Sequence, residues 1–143
     1  MTSSLKTIAF AAGAATLLAA GTAFAARPAN IANTTWTLQT NRDTVQLFID
    51  TQGGPGAPGA ANCRNINGHL GNNDIDIRGW YCPSTGRIHF VHRNLSSGDA
   101  VRVFTGNVSD DALGQTLYMA GTMTVLISPF GDLGEYNFSA TTD

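Results

Sequence analysis

Three histidines are the residues of this sequence best suited to metal binding or proton transfer, and their spacing argues against a shared site. His89 and His92 are three positions apart, so on an extended strand their side chains point to opposite faces. His69 and His89 could share a face, but no cluster of carboxylates accompanies them, and a metal site needs several ligands at one place. We therefore expect neither a metal centre nor another cofactor.

The serines and carboxylates do not suggest catalysis either. A hydrolase needs a nucleophile, a base and an orienting acid within reach of one another, yet no Gly-x-Ser-x-Gly motif occurs. The pairs Asp110-Asp111 and Asp74-x-Asp76 fall in or beside predicted turns, where Asp is common for its local hydrogen bonding. These patterns favour a binding protein over an enzyme.

Residues 1–25 have the three parts of a secretory signal peptide. Lys6 precedes an Ala- and Leu-rich apolar stretch, and Ala23-Phe24-Ala25 places small residues at the two positions that a signal peptidase recognises. We expect cleavage before Ala26 and a secreted or periplasmic protein. The apolar stretch is too short for a transmembrane helix, and no later segment could span a bilayer, so we expect no membrane association after cleavage.

Residues 26–143 are predicted to form a single domain. Removing 25 residues from 143 leaves 118, which is enough for one hydrophobic core. This part contains seven arginines and ten acidic residues, a net charge of −3. The charge argues against a nucleic-acid partner, which would require a basic face.

Short runs rich in Val, Ile, Thr, Phe and Tyr, separated by turn-forming residues, indicate an antiparallel sandwich or barrel. We predict strands at 34–39, 44–50, 63–71, 74–82, 87–93, 100–109, 116–128 and 134–140. Eight strands with tight turns favour an all-β, eight-stranded antiparallel up-and-down barrel. The Gly- and Pro-rich segment Gly53–Gly59 is predicted to be a flexible loop.

The central hairpin can be placed in register from the sequence. A turn at Asn72-Asn73 pairs His69 with Asp76 and sets Cys63 opposite Cys82. We expect these two cysteines to form a disulfide, as cysteine pairs in small exported domains commonly do. Closing a loop of about 20 residues stabilises a fold by about 3 kcal/mol. His69 and Asp76 are expected to interact across the strands at the surface.

The same register divides the side chains between the two faces. A further turn at Pro83–Gly86 pairs Cys82 with Arg87 and extends this division to the next strand. The predicted interior residues are Ile66, Leu70, Ile75, Ile77, Tyr81, Ile88, Phe90 and His92. The predicted outward residues are Asn67, His69, Asp76, Arg78, Trp80, His89, Val91 and both cysteines.

Arg102 is a charged residue predicted to point inward, because it shares a strand face with Phe104. An interior arginine is costly unless it is paired or hydrated. A ligand-binding barrel mouth would supply that water, and an arginine at the rim could equally extend into solvent. Both interpretations remain open from the sequence.

Val101 and Val103 make the opposite face of this strand apolar, and both faces of Thr116–Ile127 are apolar too. A strand that is apolar on both faces has one face in the core and the other against a further surface. We therefore expect a homo-dimer or homo-tetramer that covers it.

Several short motifs resemble the avidin and streptavidin family of biotin-binding barrels. Asn33-Thr34-Thr35-Trp36 is similar to the family's opening Gly-x-Trp strand, and Asn67–Gly71 to its third strand. Val103–Gly106 resembles its Val-Phe-Thr-Gly strand, and Thr122–Leu126 the strand that carries the intersubunit tryptophan. The resemblance implies an eight-stranded up-and-down barrel that assembles into dimers or tetramers.

The chain departs from this family at the biotin site. His92 stands where the family has a wall tryptophan, Arg102 where it has a hydroxyl residue, and Thr124 where it has the intersubunit tryptophan. Leu70 replaces the third-strand tyrosine, with the polar Asn72 two positions later. Biotin needs an aromatic cage and neutral hydrogen-bonding partners, so these changes favour an anionic or sugar-like ligand over biotin.

The sequence thus predicts an exported, avidin-like barrel that binds a small molecule at one mouth. The predicted ligand-binding residues are Asn41, Asp43, Asn72, His92, Arg102, Phe104 and Tyr136. The alternative function is a secreted protein-binding module, such as an inhibitor or surface antigen, that uses its outer face or the Gly53–Gly59 loop.

Overall fold

Eight antiparallel strands follow one another in chain order around a closed barrel in the computed structural model, which describes residues 26–56, 62–71, 75–94, 96–111 and 113–143. Pairing of the first strand with the last, from Trp36 opposite Thr142 to Thr40 opposite Phe138, closes the barrel. The predicted eight-stranded up-and-down barrel is confirmed. The strands are β1 (Thr34–Thr40), β2 (Thr44–Pro55), β3 (Arg64–Leu70), β4 (Ile75–Cys82), β5 (Arg87–Arg93), β6 (Ala100–Asp110), β7 (Leu117–Val125) and β8 (Gly134–Thr142).

The β3–β4 hairpin has the register that the sequence predicted. Asn67 lies opposite Arg78, and Cys63 and Cys82 form the disulfide, with their Cα atoms 4.0 Å apart. The register of β4 and β5, which sets Cys82 opposite Arg87, is also confirmed. The predicted turn at Asn72-Asn73 lies outside the described residues.

The prediction of a loop from Gly53 onward is wrong for its first residues. β2 continues to Pro55, with register shifts between Ile49 and Thr51 and between Gly53 and Pro55. Such irregularities let a strand accommodate Gly and Pro, which a regular ladder disfavours. Residues 57–59 of the predicted loop lie outside the described part of the chain.

The last strands differ from the prediction at their ends. β7 stops at Val125 rather than at residue 128, because the backbone N–H groups of Leu126 and Ile127 both turn to the carbonyl oxygen of Val101. β8 extends two residues further than predicted, to Thr142, where it pairs with β1.

The predicted division of faces agrees with the observed burial. The buried residues include Ile66, Leu70, Ile77, Tyr81, Ile88, Phe90 and His92, whereas the side chain of Ile75 lies outside the described part. The cysteines are an exception, since they were predicted to face outward but are buried. The backbone of Gly56 packs against Cys63 and donates a hydrogen bond to its carbonyl oxygen at 2.9 Å, which helps to cover the disulfide.

Aromatic rings fill the middle of the barrel. Phe90 and Phe104 stack with ring centroids 4.5 Å apart, and Phe138 meets Phe104 edge-on at 5.4 Å. All three side chains are buried. An eight-stranded barrel is just wide enough for side chains to fill its interior, so this cluster occupies the space that a central ligand would need.

The two ends of the barrel differ in whether a chain segment lies across them. We call the end with the β1–β2, β3–β4, β5–β6 and β7–β8 connections the mouth, and the opposite end the base. At the base, residues 26–33 lie across the opening, with Ile31 fully buried and the Tyr81 hydroxyl donating to the carbonyl oxygen of Pro28 at 2.7 Å. Within the described residues, no helix has the length and hydrophobicity needed to cross a membrane.

Gly106 and Gly121 face each other on β6 and β7, where the two backbones approach too closely for a side chain. A Cβ atom at Gly106 would lie 2.3 Å from the carbonyl oxygen of Ala120. We expect Gly106→Ala to lower the free energy of unfolding by about 2 kcal/mol or more, measured by urea denaturation, because the strands would have to separate. Gly53→Ala is the control, since a Cβ there meets no atom within 4 Å. Equal stabilities of the two variants would contradict this account.

Candidate functional site

A cavity of about 440 Å³ opens at the mouth, between the β1–β2 turn, the beginning of β6 and the β7–β8 loop. The cavity lies at one mouth of the barrel, the kind of place where the sequence predicts a ligand, and ligand binding itself stays a prediction. The lining residues are Arg42, Asp43, His92, Val101, Arg102, Met123, Val125, Ile127, Ser128, Pro129, Phe130 and Asp132.

Strand register places the two central polar side chains side by side. His92 near the end of β5 lies opposite Arg102 near the beginning of β6, just before a register shift at His92 and Arg93. The β7–β8 loop is fastened next to them, because Leu126 donates a backbone hydrogen bond to Val101 at 2.9 Å. The site is therefore built on paired strands and one anchored loop.

His92 is the buried polar group of the site. Its side chain is 9% exposed, and its Nδ1 atom is shielded from solvent and has no hydrogen-bond partner among the described residues. Burial, and then the positive charge of Arg102, lower the pKa of His92 to about 4. The imidazole is therefore neutral at physiological pH and available as a hydrogen-bonding group.

Arg102 both lines the cavity and is partly exposed to solvent, so it has features of the ligand contact and of the solvated rim residue that the sequence left open. Its side chain is 29% exposed and lines the cavity, and its Nη1 atom lies 3.4 Å from Oδ2 of Asp43. The hydroxyl of Thr40 donates to the other carboxylate oxygen of Asp43. The Asp43 carboxylate offsets the charge of Arg102, but the separation of 3.4 Å and the partial exposure of both side chains make this ion pair weak.

A second ion pair connects the β1–β2 turn with the β7–β8 loop. Arg42 pairs with Asp132, and its guanidinium carbon lies 5.5 Å from the ring centroid of Tyr136, within range of a cation–π interaction. The Tyr136 hydroxyl donates to the carbonyl oxygen of Asp132 at 3.3 Å. These contacts hold the rim together around the cavity.

The other walls of the cavity are apolar. Met123 is 1% exposed at the floor, and Val125, Ile127 and Phe130 line the side formed by β7 and its loop. The cavity thus offers a neutral imidazole and a guanidinium beside a hydrophobic wall. This combination suits a small molecule with one polar and one apolar part.

The structure brings together three of the predicted site residues, namely Asp43, His92 and Arg102. Tyr136 lies next to the cavity through its contacts with Arg42 and Asp132. Asn41 instead lines a shallow depression with Gln39 and Asn137, because it sits at the tip of the turn. Phe104 lies in the core rather than in the cavity wall, and Asn72 is outside the described residues.

Sequence reasoning missed Arg42, Asp132 and the apolar residues of the β7–β8 loop. Arg42 and Asp132 are 90 positions apart, and nothing in the local pattern of either residue indicates the partner. The loop carried a detectable signal, the run Leu126-Ile127-Ser128-Pro129-Phe130, but most of it was predicted as the end of a strand. The proline and serine of this run are typical of a turn rather than a strand.

The remaining histidines lie on the outer surface. His69 was predicted to interact with Asp76, and the two are opposite in register, but its Nδ1 atom lies 3.1 Å from Oδ2 of Asp50 on β2. Asp76 instead accepts a hydrogen bond from Arg78 at 2.8 Å. The predicted contact between His69 and Asp76 is wrong because β3 pairs with both β2 and β4, and His69 contacts the carboxylate on β2. In the described ranges, no three His, Cys, Asp or Glu side chains are grouped as metal ligands.

No protein-family model matches the chain, and no curated protein matches it. The case for a function therefore rests on the geometry of the mouth.

The lowered pKa of His92 makes the stability of the barrel depend on pH. The unfolded chain takes up a proton at this histidine as the pH falls through about 6.5, whereas the folded barrel does so only near pH 4. The stabilisation is therefore complete above about pH 6.5 and is lost as the pH falls to 4. We expect the free energy of unfolding to decline by up to about 3 kcal/mol over this interval, measured by urea denaturation.

His92→Gln should remove this part of the decline, because glutamine does not titrate. His69→Gln, at a partly exposed position on the outer face, is the matched control and should retain it. A decline of the same size in both variants would show that His92 is not its source.

Proposed function

We propose that this chain is an exported, avidin-like barrel without catalytic activity that binds a small molecule at its mouth. The observation that carries the proposal is the mouth cavity, in which a buried His92, whose Nδ1 atom has no hydrogen-bond partner among the described residues, lies beside the half-buried Arg102. Buried polar groups in native proteins nearly always have partners, so one left without a partner beside a cavity favours a ligand there.

The lining supports a ligand with one anionic or sugar-like polar group and an apolar body. The positive charges of Arg42 and Arg102 are balanced by Asp132 and Asp43. A single carboxylate or a set of hydroxyl groups could take the place of Asp43 at Arg102, whereas a polyanion would meet both carboxylates. Val125 and Ile127 would cover the apolar body of the ligand.

Biotin is a weaker candidate than this class. The family site needs an aromatic cage, and Phe104, the residue that best resembles a wall aromatic, is stacked against Phe90 in the core. His92 and Arg102 occupy positions where the resemblance implies an aromatic and a neutral hydroxyl group. Biotin therefore belongs in the test as a comparison ligand.

Export is supported by two independent features. The sequence of residues 1–25 is typical of a signal peptide. The Cys63–Cys82 disulfide is consistent with an oxidising compartment such as the periplasm or the extracellular space.

The ligand proposal can be tested by melting the barrel in the presence of aliphatic and aromatic monocarboxylates, neutral sugars, sugar acids and biotin. A ligand that binds only the folded state must raise the melting temperature. We expect the largest rise with monocarboxylates that carry an apolar body. Arg102→Gln should weaken their binding by about 10- to 100-fold, as measured by calorimetry, because a charged hydrogen-bonding partner is lost.

Arg64→Gln is the matched control, since Arg64 is an exposed arginine at the far end of the barrel. It should bind as the wild type does. No rise in melting temperature with any ligand class, or equal losses of affinity in the two variants, would contradict the proposal.

A second candidate function is a protein-binding module. The β7–β8 loop exposes four large apolar side chains on one side of the mouth, Leu126 (47%), Ile127 (48%), Phe130 (85%) and Leu133 (60%). Exposed apolar groups of this kind mark interaction surfaces. The loop is joined to Val101 by hydrogen bonds and so continues the surface predicted to lie in a homo-dimer or homo-tetramer.

Light scattering coupled to size-exclusion chromatography tests this second candidate. We expect the wild type to elute as a dimer or tetramer, and the double variant Phe130→Ser, Leu133→Ser to shift toward the monomer, since burial of both side chains would be lost. Leu113→Ser is the control, because Leu113 is 78% exposed in the β6–β7 connection at the base. A monomeric wild type at micromolar concentration would rule out self-association through this loop.

A further inference from the structure

The segment that follows the predicted cleavage site is built into the base of the barrel. The backbone N–H of Asp110 at the end of β6 donates to the carbonyl oxygen of Ala26 at 3.0 Å. Gln52 accepts a hydrogen bond from the N–H of Ile31 at 2.9 Å and donates one to the carbonyl oxygen of Ala29 at 3.1 Å. Residues 26–31 are thus joined to β2 and β6 by hydrogen bonds.

The carboxylate of Asp110 lies close enough to Tyr81, at the closed base of the barrel, to affect its pKa. The hydroxyl of Tyr81 donates to the carbonyl oxygen of Pro28, and its side chain is fully buried. Burial, and then the negative charge of Asp110, raise the pKa of Tyr81 to about 12, while the charge of Arg27 opposes them. The phenol therefore keeps its proton, and the Asp110 side chain lies near it.

One carboxylate oxygen of Asp110 has no partner among the described residues. Its Oδ1 atom is shielded from solvent and accepts no hydrogen bond within the described part of the chain. The guanidinium of Arg27, the residue after Ala26, donates to the carbonyl oxygen of Ser84 at 2.8 Å rather than to the Asp110 carboxylate. A shielded carboxylate oxygen without a donor is costly, so this position calls for a cation or another donor.

Signal-peptide cleavage would create such a cation next to Asp110. Hydrolysis of the bond between Ala25 and Ala26 consumes one water, leaves a carboxylate on Ala25 and frees an α-amino group on Ala26, which is largely protonated at neutral pH. The enzyme of the step is the host's signal peptidase. In the uncleaved chain the same nitrogen is a neutral amide.

We propose that the α-ammonium group of Ala26 pairs with the carboxylate of Asp110, so that cleavage itself completes the seal at the base of the barrel. The hydrogen bond between Asp110 N–H and the Ala26 carbonyl already holds the two residues together. The inference rests on the predicted cleavage site and is independent of the ligand proposed for the mouth. It makes the processed chain more stable than any form in which residues precede Ala26.

Four proteins form the test: the chain that begins at Ala26 and the same chain preceded by Gly-Ser, each with Asp110 or with Asp110→Asn. In the chain that begins at Ala26, Asp110→Asn should lower the melting temperature by about 3 to 6 °C more than in the extended chain. Asp111→Asn is the matched control. Its carboxylate accepts hydrogen bonds from the N–H groups of Leu113 and Gln115, so its loss should cost the same in both chains.

A second measurement does not depend on how well the Asp110→Asn chain folds. Acetylation of the Ala26 amino group in the wild-type sequence turns the ammonium into a neutral amide without changing any side chain, and should lower the melting temperature by a similar amount. An unchanged melting temperature after acetylation, or an equal effect of Asp110→Asn in the two chains, would overturn the proposal. So would an exported protein whose first residue, determined by mass spectrometry, is not Ala26.

Discussion

The pairing of β1 with β8 is the contact on which the rest of the structure depends. It closes the sheet at eight strands and removes both exposed edges, which would otherwise offer unpaired backbone groups to other chains. The interior of an eight-stranded barrel is just wide enough for side chains to fill it or for one small ligand. The stacked rings of Phe90 and Phe104 fill that interior, and the facing glycines of β6 and β7 let the wall close around them. Because the closed barrel is filled inside, polar and charged side chains that point inward can approach one another and a ligand only at its two ends.

The base and the mouth of the barrel are held together by different kinds of interaction. At the base, the buried side chains of Ile31 and Tyr81 and several hydrogen bonds from strand residues to the backbone tie residues 26–33 to the strands. At the mouth, partly exposed ion pairs join the turn at Arg42 and Asp43 to the β7–β8 loop and to β6. Exposed ion pairs contribute little to stability and are readily exchanged for another partner. The base is therefore the more firmly closed end, and the mouth is the end through which the proposed ligand would enter.

Most of the fold could be predicted from the sequence because a β-strand alternates its side chains with a period of two. One turn at Asn72-Asn73 and two cysteines were enough to register β3 against β4, and the next turn extended the register to β5. Strand ends were less predictable, as at Pro55, where irregular pairing accommodates residues that normally end a strand. The site was predictable only in part. Strand alternation placed His92 and Arg102 together, whereas the pairing of Arg42 with Asp132 depends on the return of a loop 90 positions later.

The electrostatics of the mouth bear on the ligand proposed for it. Where the resembling family has an aromatic wall, this chain has the polar His92, but burial and Arg102 keep the imidazole neutral above about pH 4, so it adds no charge. Arg102 brings a positive charge that Asp43 balances through a contact of 3.4 Å, longer than a strong charged hydrogen bond. A ligand carboxylate placed between His92 and Arg102 could make shorter contacts with both, and Asp43 would then return to solvent, to which it is already partly exposed. Under the proposed function, the Asp43 carboxylate stands where the carboxylate of the ligand would bind, and its weak contact with Arg102 would allow the exchange.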